Sequence, residues 1–117
     1  MVQYFKKHEL ACPCCGECNM GADFIDMLVT ARTFSDIPFT INSAYRCEKH
    51  NKDIGGVERS AHIAGKAVDI RVRNSHERFL IKYALYLAGF TRIGDGGNFI
   101  HVDSDEQKAQ GVEWQYK

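Results

Sequence analysis

The most constraining feature of the sequence is an alternation of apolar and charged residues in the middle of the chain. Val68, Ile70 and Val72 occupy every second position, and charged residues occupy the positions between them. Side chains of a β-strand point alternately to its two faces, so this pattern predicts a strand over Ala67–Val72 that is buried on one face only. Asp69 lies on the polar face of that strand.

Helical periodicity and turn residues predict further elements on both sides of this strand. Apolar residues at helical spacing predict a helix over Asp23–Phe34. A second helix is predicted over Ser75–Ala88, with Ser75 as its N-cap and a glycine after its end. The remaining predicted elements are a short helix or turn over Arg46–Ile54 and strands over Phe39–Ser43, Phe90–Ile93 and Phe99–Asp103. The last two strands are close enough to pair antiparallel, and the expected class is α+β.

Length and composition limit the domain organisation and the kinds of partner. With 117 residues, 44% hydrophobic and 26% charged, the chain is expected to form one domain over residues 1–117 and to act as a monomer. Its net charge of zero gives no reason to expect a nucleic-acid partner. Neither a bilayer-spanning run nor the order of a secretory signal is found, so we expect no membrane partner and synthesis in the cytoplasm.

Three residues that are distant in the sequence have the chemistry of a catalytic zinc site. Such a zinc takes about three protein ligands from neutral imidazole and carboxylate, and it keeps a fourth position for water. His62, Asp69 and His101 supply two nitrogens and one oxygen. The spacing of His62 and Asp69 suits a loop that leads into a strand. Gly65 has no side chain and therefore allows the backbone between them to turn tightly. Taken singly, each of the three residues is more often an ordinary surface or hydrogen-bonded side chain.

Three segments together resemble a known family: Ile41–Asn51, Ser60–Asp69 and Phe99–Asp103. They resemble the zinc D-alanyl-D-alanine carboxypeptidase family, including its L-alanoyl-D-glutamate endopeptidase branch found in phage endolysins. The resemblance covers residues 5–103. It implies a hedgehog/D-Ala-D-Ala-peptidase-like fold with a small antiparallel sheet and flanking helices. It also implies zinc-dependent hydrolysis of peptidoglycan stem peptides, with action at the cell wall after holin-type release or delivery by a phage particle.

The resemblance also implies roles for individual residues. His62 and Asp69 match the first two zinc ligands of the family, and His101 matches the third. Arg46 matches an arginine that stabilises the charge developing on the scissile carbonyl; the alternative is a surface ion pair. Ser60 matches a serine at the edge of the pocket, where it hydrogen-bonds the substrate or a ligand; the alternative is a turn cap.

The general base is the position at which this chain departs from the family pattern. Relatives carry an acidic residue or a histidine where this sequence has Asn98 or Phe99. Asp95, six positions before His101, is therefore predicted to take the proton, although a turn aspartate is the alternative. Asp103, two positions beyond His101, is the other candidate for the base, although it is expected to orient a ligand imidazole instead.

A cysteine-rich loop at positions 9–21 holds four of the five cysteines: Cys12, Cys14, Cys15 and Cys18. A structural metal, reduced thiols packed in a loop and a disulfide are the three interpretations of this segment. Four ligands within seven residues would make a cramped tetrahedron, and Cys47 is a candidate to replace one of them. A disulfide is disfavoured because the cytoplasm is reducing.

Two functions other than peptide hydrolysis are compatible with the sequence. The first is a non-catalytic zinc-containing module that binds peptidoglycan or a partner protein, and Asn98 motivates it. The second is a zinc knuckle in the cysteine loop that touches nucleic acid, against which the zero net charge argues. Carboxypeptidase and endopeptidase action differ in how the substrate pocket is closed, and the sequence does not distinguish between them.

Overall fold

A five-stranded sheet organises the fold in the computed structural model, which describes residues 4–116. Its strands are β1 (Ile41–Ser43), β2 (Ala67–Arg71), β3 (Arg92–Asp95), β4 (Phe99–Asp103) and β5 (Val112–Gln115). They lie in the order β1-β2-β4-β3-β5, and all neighbours are antiparallel except the parallel pair β3 and β5. The helices are α1 (Lys7–Leu10), α2 (Ala22–Ser35), α3 (Glu48–Asp53) and α4 (Ser75–Leu87). The α+β class is confirmed.

The two faces of the sheet differ in chemistry, as the alternation in β2 predicts. Val68 pairs with Val102 and Ile70 with Ile100, so these apolar side chains share one face. They are fully buried in a core to which α2 and α4, packed against each other, contribute further apolar residues. Asp69 lies on the opposite face of β2. Strand pairing thus separates the hydrophobic core from the polar groups of the candidate site.

Most predicted elements occur within a residue or two of their predicted bounds, and two details are corrected. The N-cap of α4 is Asn74 rather than Ser75, because the Asn74 side chain accepts the backbone N–H of Glu77 at 2.9 Å. Strand β3 runs from Arg92 to Asp95 instead of over 90–93. The glycine-rich connection is therefore shorter than predicted, and Asp95 belongs to a strand rather than to a loop.

Two elements have no counterpart in the sequence-based prediction. The helix α1 has only four residues, and β5 alternates half-buried with exposed positions. Strand β5 nevertheless extends the sheet beside β3 and brings Trp114 next to the polar face. Within residues 4–116, no helix has the length and apolar character needed to cross a membrane.

Candidate metal centre and active site

Strand pairing places Asp69 and His101 beside each other. The two residues are directly opposite in the antiparallel pair of β2 and β4, on the polar face. The Nδ1 atom of His101 lies 2.9 Å from Oδ1 of Asp69. Two of the three predicted zinc ligands are therefore brought together by sheet register alone.

The third predicted ligand, His62, comes from the loop before β2. The Ser60 hydroxyl accepts the backbone N–H of His62 at 3.1 Å, and the His62 Nδ1 lies 2.7 Å from the carbonyl oxygen of Ala44. Because a carbonyl only accepts, Nδ1 must carry the proton, and Nε2 is left with a free lone pair. Ser60 thus holds the loop, as a turn cap does, and it also lines the cavity described below.

The free lone pair of His62 is the clearest sign of a metal. Nε2 of His62 is buried without a hydrogen-bond partner in the described structure, at 3.4 Å from Oδ1 of Asp69. A buried acceptor without a donor is costly, and a cation at this point removes the cost. The candidate ligand atoms of His62, Asp69 and His101 all lie within 4.8 Å of one another. This donor set of two imidazoles and one carboxylate fits zinc.

Asp103 fixes the orientation of the His101 ring. Its Oδ2 lies 2.6 Å from Nε2 of His101, which leaves Nδ1 to face Asp69. The other oxygen, Oδ1, accepts Nε–H of Arg92 at 2.7 Å and the backbone N–H of Asp105 at 3.0 Å. Both oxygens are therefore engaged. The placement is the one expected for a carboxylate that orients a ligand imidazole.

Electrostatics favours an anionic Asp69 in this cluster. Burial alone would raise the pKa of Asp69, but the hydrogen bond with His101 and the neighbouring His62 ring outweigh burial and hold that pKa well below its ordinary value. Burial lowers the pKa of His101, whereas the Asp103 and Asp69 carboxylates raise it and prevail. The centre therefore places a fixed negative charge beside its two imidazole rings, and that charge favours a divalent cation.

Arg46 lies beside this centre and contacts two neutral groups and the Asp69 carboxylate. Its Nε donates to the Ser43 hydroxyl at 3.2 Å, its Nη1 donates to Oδ1 of Asn51 at 3.1 Å, and its Nη2 lies 3.6 Å from Oδ2 of Asp69. Asn51 is buried and also donates to the carbonyl of Val57 at 2.9 Å. Asn51 has no role predicted from the sequence. Its place five positions after Arg46, in a short helix, was the available signal.

The cavity over this centre has a volume of about 450 Å³ and is walled on one side by aromatic rings. Trp114 lies 5.7 Å from His101 between ring centroids, and Tyr116 lies 5.3 Å from Phe99. Gly94 is opposite His101 in the sheet, and a Cβ there would lie 2.7 Å from the Trp114 ring. Because Gly94 has no side chain, the Trp114 ring fits beside the sheet at this point. This aromatic wall was not predicted from the sequence.

The structure does not bring Asp95 into this cavity. Gly94 pairs with His101 and Asp95 pairs with Ile100, so Asp95 points to the helix-covered face of the sheet. There Oδ2 lies 2.8 Å from Nζ of Lys82 and 3.5 Å from Nε of Arg78. This placement does not support the assignment of Asp95 as the general base. Sequence distance alone does not reveal the face, whereas the strand register does.

Replacement of Asp95 by Asn is accordingly expected to leave the peptide cleavage that the resemblance implies within about threefold of wild type. The free energy of unfolding should fall by about 1–3 kcal/mol, because the largely buried Asp95 loses its charge beside Lys82 and Arg78. The matched variant Asp103→Asn should lower cleavage or zinc affinity about 10- to 100-fold, because it disturbs the His101 ring. Both effects are measured by steady-state kinetics and zinc titration. Loss of cleavage in Asp95→Asn with zinc retained would restore Asp95 as the base.

Gly65 shapes the loop that carries His62. Its φ is +73°, and a Cβ at this position would lie 1.9 Å from the carbonyl oxygen of Asn19. We expect Gly65→Ala to lower the free energy of unfolding by about 3 kcal/mol or more, because strain and a backbone clash combine. Gly55 is the control, since its φ of +74° is similar and nothing lies within 4 Å of its added Cβ. Gly55→Ala should cost only about 1–2 kcal/mol.

Denaturant unfolding of both glycine variants in the presence of a chelator separates these costs from any change in metal binding. Equal losses in the two variants would show that the close approach of Asn19 to Gly65 is not important for the loop.

The cysteines cluster differently from the predicted set. Cys12, Cys14, Cys15 and Cys47 place their sulfur atoms together, and Cys18 is not among them. Cys18 is instead half-buried against the hydrophobic core. Cys47, the predicted candidate to replace one of the four, reaches the loop from the N-terminus of α3 and relieves the crowding of four ligands within seven residues.

Comparison with known proteins decides the family. A family model described as Peptidase M15 matches residues 3–103. The chain belongs to the peptidase M15 family. This M15 protein has its three candidate zinc ligands and Arg46 within the matched residues, whereas β5 lies beyond them. M15 peptidases are zinc-dependent, in agreement with the donor set of the site. No curated protein matches the M15 chain at a significant level.

Proposed function

We propose that this M15 protein hydrolyses peptide bonds in the stem peptides of bacterial peptidoglycan, at a D-Ala-D-Ala or an L-Ala-D-Glu bond. The observation that carries the catalytic part is the buried, unpartnered Nε2 of His62, which converges with Asp69 and His101 on an open cavity. The substrate class is supported by the resemblance of three segments, Ile41–Asn51, Ser60–Asp69 and Phe99–Asp103, to cell-wall peptidases.

The metal ligands are preorganised by groups that do not themselves bind the metal. His62 Nε2, the Asp69 carboxylate and His101 Nδ1 would hold the ion. When bound there, zinc supplies Lewis-acid polarisation of a peptide carbonyl and activation of water. The Ala44 carbonyl fixes the protonation of the His62 ring, and the Asp103 carboxylate fixes that of His101. No ring has to reorient when a substrate arrives.

Arg46 supplies a fixed positive charge for the reacting carbonyl. Its guanidinium lines the cavity and is held by Ser43 and Asn51, so it is already oriented in the absence of substrate. A donor of this kind stabilises the negative charge that develops on the carbonyl oxygen in the transition state. Because two of its contacts are to neutral groups, the cation is only partly compensated, by Asp69.

Synthetic stem peptides test this proposal directly. The zinc-loaded protein is incubated with a pentapeptide that ends in D-Ala-D-Ala and with a muropeptide that contains an L-Ala-D-Glu bond, and mass spectrometry identifies the products. Cleavage of one of these bonds, absent from His62→Ala, supports the proposal and distinguishes the two specificities. Zinc-loaded, folded protein that cleaves neither substrate would contradict it.

One observation favours a second candidate, a zinc-containing module that binds peptidoglycan or a protein without cutting. Among the described residues that line the cavity, the carboxylates are Asp69 and Asp103, and both are engaged by other groups. A general base is therefore not evident in the cavity. The binding module predicts sedimentation of the zinc-loaded protein with purified peptidoglycan and no new amino groups. Release of amino groups would exclude it.

A further inference from the structure

Four sulfur atoms converge on one point outside the candidate active site. The Sγ atoms of Cys12 and Cys14 are 3.6 Å apart, those of Cys12 and Cys47 are 3.7 Å apart, and those of Cys14 and Cys47 are 3.3 Å apart. The sulfur of Cys15 completes the group, in which all four atoms lie within 4.8 Å of one another. All five cysteines lie within residues 4–116, and none is in a disulfide.

The spacing of three of these sulfurs, those of Cys12, Cys14 and Cys47, is close to that of a metal tetrahedron. Zinc binds thiolates at about 2.3 Å, so two sulfurs of a tetrahedral site lie about 3.8 Å apart. A disulfide requires about 2.05 Å. The three Sγ distances above are therefore much nearer to the tetrahedral edge than to a bond. Four thiols packed this closely without a cation gain little from one another, since S–H is a weak donor.

Backbone N–H groups around the cluster point to two of its sulfur atoms. The N–H of Cys47 points to Sγ of Cys12 at 3.5 Å, and the N–H of His50 points to Sγ of Cys47 at 3.4 Å. Hydrogen bonds of this type favour the thiolate, which is the form that binds metals. The loop itself closes through the N–H of Gly16, which donates to the carbonyl of Cys12 at 2.8 Å. Gly16 adopts a φ of +75°, as such a tight turn requires.

We propose that Cys12, Cys14, Cys15 and Cys47 bind a second zinc ion with a structural role. Four protein ligands leave no position for water, which distinguishes this site from one with three ligands. The ion joins the N-terminal loop to a segment that lies more than thirty positions later in the chain. A cross-link of this span restricts the unfolded chain and therefore stabilises the folded one.

The proposed ion also positions Arg46. Cys47 directly follows Arg46 and is the N-cap of α3, the helix that carries Asn51. Asn51 in turn accepts from Arg46 at 3.1 Å. A metal on Cys47 therefore fixes both the backbone of Arg46 and the partner of its side chain. The metal site itself does not rest on the proposed peptidase function, because it is detected by metal content alone.

Zinc content of four purified proteins tests the site. Cys14 is exposed, so Cys14→Ser removes a sulfur without opening the core, and Cys18→Ser is the matched control from the same loop. We expect about two zinc ions per chain in wild type and in Cys18→Ser, and about one in Cys14→Ser. His62→Ala should also retain about one, because it loses the other ion. Equal zinc content in Cys14→Ser and Cys18→Ser would overturn the proposal.

Cobalt substitution provides a second readout that does not require Cys14→Ser to fold. In the His62→Ala protein the remaining Co²⁺ should show thiolate-to-metal charge-transfer absorption in the near ultraviolet, typical of sulfur ligands. Thiol titration of the same protein should show Cys14 and Cys15, although exposed, protected until a chelator is added. Absence of the charge-transfer band, or immediate reaction of these thiols in metal-loaded protein, would overturn the proposal. Wild-type protein that shows this band and cleaves no peptide would contradict only the proposed function.

Discussion

Replacement of His62 by Ala is expected to remove the zinc ion of the His62, Asp69 and His101 centre and to lower peptide cleavage at least about 10³-fold. The Nε2 atom that this change deletes is buried and has no hydrogen-bond partner in the described structure. Its expected role is therefore that of a metal ligand, and the variant lacks that ligand. Metal catalysis contributes several kcal/mol to transition-state stabilisation, and each 1.4 kcal/mol corresponds to about a factor of ten. Zinc content and initial rates on a stem peptide measure both effects.

His76→Ala is the matched control for this prediction. His76 lies exposed in the first turn of α4, on the far side of the sheet from the candidate centre. Its replacement should leave zinc content and cleavage unchanged. If His62→Ala retained wild-type zinc at the centre, as judged in a protein that also carries Cys14→Ser, the assignment of His62 as a ligand would be wrong.

Replacement of Arg46 by Gln is expected to lower kcat by about 10²- to 10³-fold while zinc stays bound. The guanidinium is fixed by Ser43 and Asn51 beside the centre, so it stabilises charge in the transition state more than it binds the ground-state substrate. KM should therefore change much less than kcat. Arg46→Lys should recover only part of the rate, since an ammonium does not reproduce the fork that reaches both partners.

Arg73→Gln is the control for the loss of a positive charge. Arg73 is exposed and pairs with Glu77 at 3.7 Å, away from the cavity. Its replacement should leave kcat and KM unaltered. A fall in zinc content in Arg46→Gln, with kcat per bound zinc unchanged, would show that Arg46 only supports the metal centre and does not act on the substrate.

The fold was predictable where one sequence pattern decided it. The alternation along β2 predicts its buried and polar faces, and β4 was predicted with its observed bounds. The helix α2 follows from apolar spacing, because the same residues pack into the core. Strand β5 has no such pattern: its stability comes from pairing with β3, a tertiary contact that local sequence does not encode.

The candidate site was predictable as a set of residues but not as a geometry. His62, Asp69 and His101 were found from their chemistry and spacing, and the sheet register brings the last two together. Asp95 shows the limit of this approach, since a position six residues before His101 says nothing about which face of the sheet it occupies. The face that Asp95 occupies depends on the residue at which the β3–β4 turn begins. The start of β4 at Phe99 does not by itself define that residue.

The cysteine cluster shows a related limit. The sequence leaves Cys18, the nearest thiol, and Cys47 both open as the fourth member, and the fold brings in Cys47 from the start of α3. Long-range proximity of this kind follows from the path of the whole chain. Hydrogen bonds such as that of the Tyr45 N–H to the Leu10 carbonyl at 3.1 Å hold the two segments together.

The most direct test of the proposed peptidase activity is the release of amino groups from purified peptidoglycan by protein that is first stripped of metal and then given zinc. We expect the stripped protein to release none, and wild type to regain activity as the His62, Asp69 and His101 centre fills, with new termini at one stem-peptide bond. Full activity in the stripped protein, or no release from zinc-loaded and correctly folded protein, would contradict the account.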